Sequence, residues 1–335
     1  MKPLQMLLSN AARSNKRIVL SEGADPRVIR AALEAERDNI ARITLVGDTA
    51  EIERGFAEAG AARPDAIAIQ DPAASPLAED MADLYHELRK HKGVTPVTAR
   101  KAALSPHVFA ALLVKSGHAD GTVGGAVATT AEIVRIAIQV IGMRPGAGLV
   151  SSFFLMLFCA DHHSKKGAHI FADCGLVVDP NADEMAQIAI ASAQSFRDLT
   201  NGGQPRVAML SFSTRGSASH PTVTKVRHAT EIARAAAPDL LIDGELQFDA
   251  AFVPEVAQSK ASDSPLQGDA NVFVFPSLDS GNIAYKIAQR IGGANAIGPV
   301  LQGLALPAND LSRGCNSDDI LHMIAVTAAQ AETVA

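Results

Sequence analysis

The chain has no tryptophan, only two tyrosines, and aromatic residues at 4% of the total. That is too few for a base-stacking platform or a membrane-interface belt. Its three cysteines, Cys159, Cys174 and Cys315, form no CxxC pair and are odd in number, so they cannot build a disulfide framework and read as free thiols. Long apolar runs are missing too. The longest, Gly146 to Ala160, is interrupted by Ser151 and Ser152 and falls short of the ~20 residues that cross a bilayer, so it reads as buried core. Met1 to Arg17 lacks the apolar segment and cleavage site of a secretory signal, which places the protein in the cytoplasm. No GxxxxGK, GxGxxG, GxSxG or HExxH occurs, which removes the direct routes to a nucleotide-hydrolysing, dinucleotide-binding, serine-hydrolase or zinc-protease assignment. Positive charge is also in deficit: 30 Lys and Arg against 36 Asp and Glu give a net −6, the wrong sign for wrapping a polyanion. Nucleic acid and membrane are not expected partners, and any anion must be captured locally.

What is present is a globular chain of 335 residues, 47% hydrophobic and 20% charged, long enough for two domains at about 150 residues each. Short apolar, mostly β-branched runs (Ile18 to Leu20, Ile43 to Val46, Val207 to Leu210, Leu240 to Ile242, Val272 to Phe275) predict buried strands. Between them Arg27 to Arg37, Met81 to Lys90, Ala131 to Ile141, Glu184 to Phe196, Val223 to Ala236 and Ile283 to Ile291 carry apolar residues at helical spacing. The alternation predicts an α/β fold of parallel sheets with helices on both faces. Gly142 to Gly148 is a candidate boundary. Ser317 to Ala335 reads as a final helix capped by Asn316 or Ser317, with Asp318 and Asp319 complementing its dipole.

Arginines are the natural local anion binders, because the guanidinium fork matches phosphate oxygens. Arg89 closes a basic helix end (Leu88-Arg89-Lys90-His91-Lys92-Gly93), where favourable charge against the helix dipole is the bland account. Arg135 follows Thr129-Thr130 on a largely apolar helix, where it must snorkel or find an anion. Arg290 and Arg313 are further candidates. The hydroxyl-rich turn Ser211 to Ser217 follows an apolar strand, so backbone N–H groups near Gly216 can face a phosphate, although a plain βα turn fits equally well. His162-His163 adjoins two lysines and reads as a solvated loop rather than a metal site. The densest polar cluster is Pro307 to Asp319, which joins hydroxyl, guanidinium, thiol and carboxylate ahead of a helix.

That cluster resembles the phosphate acetyltransferase family. The resemblance runs through Asn271-Val272-Phe273-Val274-Phe275-Pro276, Gly281-Asn282-Ile283-Ala284-Tyr285-Lys286, Gln289-Arg290, Gly298 to Leu304 and Asn309-Asp310-Leu311-Ser312-Arg313-Gly314-Cys315. Supporting stretches are Leu88 to Thr95, Ala119-Asp120-Gly121, Val150 to Phe153, Ser213-Thr214-Arg215-Gly216-Ser217 and Asp243 to Gln247. The resemblance implies reversible acetyl transfer between acetyl phosphate and coenzyme A, releasing or consuming inorganic phosphate, with no permanently bound cofactor and no metal. It also implies two α/β domains like those of isocitrate and isopropylmalate dehydrogenases (1–146 plus 302–335, and 147–301), an active site in the cleft, and a homodimer. Asp319 matches the proposed general base, and Ser312 and Arg313 the groups that hold the acyl phosphate. Arg89, Arg135 and Arg290 match arginines implicated in binding or catalysis, and Ser213, Thr214, Arg215, Gly216 and Cys315 are further expected substrate contacts. Gly124 and Ala128 depart from the family, standing where relatives often have Ser and His. Butyryl- or propanoyl-specific relatives and noncatalytic acyl-CoA-sensing domains are the rival readings.

Attack by sulfur at the carbonyl builds an oxyanion and expels phosphate, so arginines and hydrogen-bond donors suffice, whereas phosphoryl transfer usually recruits Mg²⁺. A thiol near pKa ~8.5 and an ordinary aspartate near ~3.9 differ by about 4.6 units, on the order of 6 kcal/mol. Asp319 therefore needs arginine charge on the thiolate, or a raised carboxyl pKa, to act as base. Cys315 as a covalent acyl acceptor is the less favoured route, since no histidine partner adjoins it.

Overall fold

The computed structural model describes residues 3–333. In chain order the first segment carries α1 (Pro3–Ser14), β1 (Arg17–Leu20), α2 (Pro26–Arg37), β2 (Arg42–Val46), α3 (Thr49–Glu58), β3 (Ala68–Gln70), α4 (Ala78–Arg89), α5 (Pro96–Ala103), α6 (Pro106–Lys115), β4 (Gly121–Gly124) and α7 (Thr130–Ile136). The middle segment carries β5 (Ser151–Phe158), β6 (Gly167–Ala172), α8 (Ala182–Leu199), β7 (Arg206–Leu210), α9 (Pro221–Ala236), β8 (Leu241–Leu246), α10 (Phe248–Phe252), α11 (Pro254–Lys260), β9 (Val272–Val274), α12 (Leu278–Arg290) and β10 (Asn295–Gln302). The chain closes with β11 (Ala308–Asp310) and α13 (Ser317–Thr333). Among the described residues no helix is long and apolar enough to cross a membrane.

Contacts divide these elements into two compact units. Gln5–Pro145 and the described residues from Leu304 to Thr333 make a split unit, and Gly146–Gly303 makes an inserted one that also takes Pro3 and Leu4. The split unit is built on a five-stranded sheet, β11-β4-β1-β2-β3, parallel at every pairing. The inserted unit has six strands, β10-β5-β6-β9-β7-β8. This sheet is mixed within a mainly parallel fold: β5 pairs antiparallel with both β6 and β10, and the remaining pairings are parallel. Every residue of β5 except its last is buried, so it shows none of the alternation that would mark an antiparallel strand with one wet face.

Local chemistry accounts for the helix starts. Asp25 accepts from the Arg27 N–H and Pro26 opens α2, whose Val28, Ile29, Ala31, Ala32 and Ala35 are buried. Asn181 and Glu184 form a reciprocal capping box on α8. Two expectations are revised and one left open is settled. The helix expected over Ala131 to Ile141 is α only to Ile136, and Ala137–Ile141 winds as a π turn. The polar stretch before the last helix contains a strand, β11, whose three residues are all buried. The cap of α13 is Asn316, not Ser317: Asn316 Oδ1 accepts from the Asp319 N–H at 2.9 Å, and Asp319 Oδ2 accepts from the Asn316 N–H at 3.0 Å. The last two residues of the expected helix lie outside the described residues.

Gly121 lets α13 lie close on β4, because a Cβ there would meet Thr327 Cγ2 at 2.5 Å and Pro307 Cβ at 3.3 Å.

Candidate active site

Neighbouring parallel strands end together, so the loops after β1, β4 and β11 share the carboxyl edge of the split unit's sheet, the edge where α/β sheets take ligands. Hydrogen bonds lace the three loops. The Ser21 N–H donates to Val123 O at 3.1 Å and the Leu311 N–H to Gly124 O at 2.7 Å. Glu22 accepts from the backbone N–H groups of Ala126, Val127 and Ala128 at 2.6 to 2.9 Å. Three donors on one carboxylate hold the turn before α7 in a fixed shape.

Arg27 fastens the third loop to the other two. Its guanidinium donates to Arg313 O at 2.8 Å, Cys315 O at 3.1 Å and Ala126 O at 2.8 Å, while also pairing with Asp25. Sequence reading passed over this residue, because it opens a predicted helix and nothing local marks it. The only signal was its position two residues after a capping aspartate.

On that support stand Ser312 and Arg313, both exposed. Ser312 Oγ accepts from the Gly314 N–H at 3.3 Å, and the Arg313 side chain forms no ion pair with another described residue. The Cys315 thiol is buried, at 7% exposure, and 3.9 Å from an Arg27 nitrogen. Burial pushes its pKa up to about 11, against the opposing charge of Arg27, with Asp319 adding to the rise. A thiol held this protonated is a poor nucleophile at neutral pH. Asp319 lies in the first turn of α13 with one oxygen in the capping box, and its other oxygen takes no partner among the described residues.

The family model for phosphate acetyl/butaryl transferase matches residues 3–328. The chain belongs to that family. It is 50% identical over 330 residues to the phosphate acetyltransferase of Paracoccus denitrificans, covering 98% of this chain and 99% of that one. The phosphate acetyltransferase of Thermoanaerobacterium thermosaccharolyticum is 46% identical, covering 99% and 100%. A phosphotransacetylase crystal structure from Streptococcus pyogenes superposes with a TM-score of 0.89 at 43% identity, covering 98% and 99%. Membership makes the chain an acyltransferase, and full-length likeness to phosphate acetyltransferases favours acetyl over longer acyl groups.

Within this phosphate acetyl/butaryl transferase chain the other expected site residues fall on both units. Arg135 is exposed at the end of α7. Arg89 ends α4 with its Nε buried and without a hydrogen-bond partner, so a dipole role alone leaves that donor unsatisfied. Arg290 is exposed in the last turn of α12, on the inserted unit. The 213–216 turn also belongs to that unit, and its polar groups are engaged internally. Glu245 accepts from the Ser213 hydroxyl at 2.9 Å and the Gly216 N–H at 2.7 Å, Thr214 Oγ1 accepts from the Gln247 N–H at 2.9 Å, and Arg215 forks onto buried Asp243. His162 and His163 both bond the Gly292 carbonyl, at 2.9 and 2.7 Å, which gives the pair a structural task.

The family departure at Gly124 has a local counterpart. A Cβ at 124 would overlap Ser21 Oγ and stand 3.5 Å from His107 Nδ1. Ser21 and His107, bonded to each other at 2.8 Å, occupy the space a side chain would need, and His107 Nε2 lies 3.8 Å from Glu22. The departure at Ala128 leaves its N–H in the Glu22 cradle.

Proposed function

We propose that this protein transfers an acetyl group reversibly between acetyl phosphate and coenzyme A, by direct attack of the CoA thiolate on the carbonyl, at the Leu311–Cys315 loop and the first turn of α13. Asp319 takes the thiol proton, sulfur bonds to the carbonyl carbon, the carbon–oxygen bond to phosphorus breaks, and phosphate leaves. Ser312 donates to the carbonyl oxygen and Arg313 holds the phosphate, neutralising charge as it builds. The observation that carries the reading is an exposed Ser312–Arg313 on a loop that Arg27 ties down and that leads directly into the helix turn carrying Asp319. The buried, protonated Cys315 supports direct transfer over a covalent acyl-enzyme. Coenzyme A is then a substrate, not a resident cofactor.

The test offers purified protein CoA with acetyl, propanoyl or butanoyl phosphate and follows thioester formation with and without chelator. Acetyl phosphate is turned over best, and chelator makes no difference. One methylene in an apolar pocket is worth about 1–3 kcal/mol, so butanoyl phosphate, two methylenes longer, reacts at least about 30-fold more slowly. A faster butanoyl reaction or a need for divalent metal contradicts the reading.

A homodimer is part of this proposal. Ile283, Ile287 and Ile291 are 57%, 54% and 82% exposed at four-residue spacing along α12 and the residue after it, an apolar stripe that a second copy would cover. Sedimentation of the Ile287→Glu variant as a monomer beside a dimeric parent supports this, and dimers of both remove α12 from the interface.

A further inference from the structure

Asp310 ends β11, two residues before Ser312, and is fully buried. Its Oδ2 accepts from the Thr130 hydroxyl at 2.6 Å, while its Oδ1 is buried without a hydrogen-bond partner. That bare oxygen lies in the space beside Gly125, at φ +100°, where a Cβ would overlap it. A carboxylate in this position has one donor, no solvent and another carboxylate, Glu22, nearby, although buried anions are ordinarily paired.

We infer that Asp310 serves as a neutral acid, a positioning residue whose protonated form clamps β11 to the start of α7 through Thr130 and so fixes the Ser312–Arg313 segment. Ionisation strengthens the single Thr130 bond but sets a second, unsolvated negative charge against Glu22, and that repulsion displaces the segment the clamp had fixed. Burial, reinforced by Glu22, pushes the Asp310 pKa up to about 7, against the Thr130 hydrogen bond and the nearby Leu311 N–H. The surrounding charges are accounted for element by element. Glu22 comes from the turn after β1, with His107 of α6 and Arg27 of α2 beside it. The flanking helix α7 carries half-buried Glu132 and exposed Arg135, and α13 carries Asp318, Asp319 and His322. Because the folded chain holds this proton more tightly than the unfolded one, Asp310 contributes stability that is lost as pH rises from the ordinary 3.8 through about 7.

The inference rests on Ser312 and Arg313 holding substrate, so the experiment includes Ser312→Ala and Arg313→Gln beside the Asp310 variants. The profile of kcat against pH is measured from about pH 6 to about pH 9, where a group that must stay protonated costs up to tenfold per unit above its pKa. In the parent, kcat falls through the alkaline half. Asp310→Asn, which keeps an acceptor for Thr130 and cannot ionise, rescues kcat to within about threefold at neutral pH and flattens that fall, while Asp310→Ala lowers kcat about tenfold with KM nearly unchanged. If the alanine variant does not fold, Thr130→Val, which keeps the acid and removes the clamp, supplies the lowered kcat instead. An alkaline fall that persists in Asp310→Asn overturns the inference, as does an Asp310→Ala enzyme equal to Asp310→Asn. Full activity in both Ser312→Ala and Arg313→Gln overturns it together with the reading beneath it, whereas losses there beside an inert Asp310 overturn the inference alone.

Discussion

Asp319→Asn lowers kcat about 10²- to 10⁴-fold and moves the apparent KM for either substrate by less than about threefold. The magnitude is that of a positioned general base, about 3–6 kcal/mol of barrier. The substitution separates two roles that share one side chain. Asp319 also closes the capping box of α13 by accepting the Asn316 N–H, and the asparagine carbonyl can accept the same bond. The melting temperature of Asp319→Asn therefore stays close to that of the parent, and the loss is chemical. Asp319→Ala differs, adding about 1 kcal/mol of lost capping. Near-parental turnover in the asparagine variant reduces Asp319 to a cap and removes it from the chemistry.

Arg27→Met gives the second large effect, a fall of about 100-fold in kcat together with about 2 kcal/mol of stability. Methionine preserves the apolar stem but withdraws the donors to the carbonyls of Ala126, Arg313 and Cys315, and it leaves Asp25 without its partner. The stability loss stays modest because the Arg27 side chain is 30% exposed and water replaces part of what is lost. The larger penalty falls on geometry: with its tether gone, the 313–315 backbone drifts, and a displacement of about 1 Å at reacting groups costs on the order of 100-fold. Steady-state kinetics and thermal melts of the same preparation separate the two. Unchanged kcat with a lowered melting temperature confines Arg27 to the fold.

The strands that β-branched runs marked, β1, β2, β7 and β9, were legible in the sequence because burial on both faces demands continuous apolar side chains. β4 was not, since Gly121 and Gly124 flank only two β-branched residues, Thr122 and Val123, too short a run to mark a strand; tight contact with α13 and with Ser21 is what selects glycine there. β11 was hidden for a different reason. Asn309 and Asp310 look like loop residues, yet Asn309 is buried by hydrogen bonds to Thr327 and Gln330 and Asp310 by its bond to Thr130. Tertiary partners over-rode polarity that no local window could interpret. At the site itself, the loop residues 312, 313 and 315 and the helix start at 319 were visible as a polar cluster and through the family resemblance. Arg27 was invisible, because what it does is grip a carbonyl 286 positions away.

Direct transfer is most plainly tested by exchange of labelled inorganic phosphate into acetyl phosphate, measured with and without CoA. With the Cys315 thiol held protonated near pH 7, its pKa pushed up to about 11, no acyl-enzyme forms and exchange requires CoA or acetyl-CoA. Exchange at a catalytically competent rate in the complete absence of CoA would mean that the acetyl group rests on the protein, and would contradict the account.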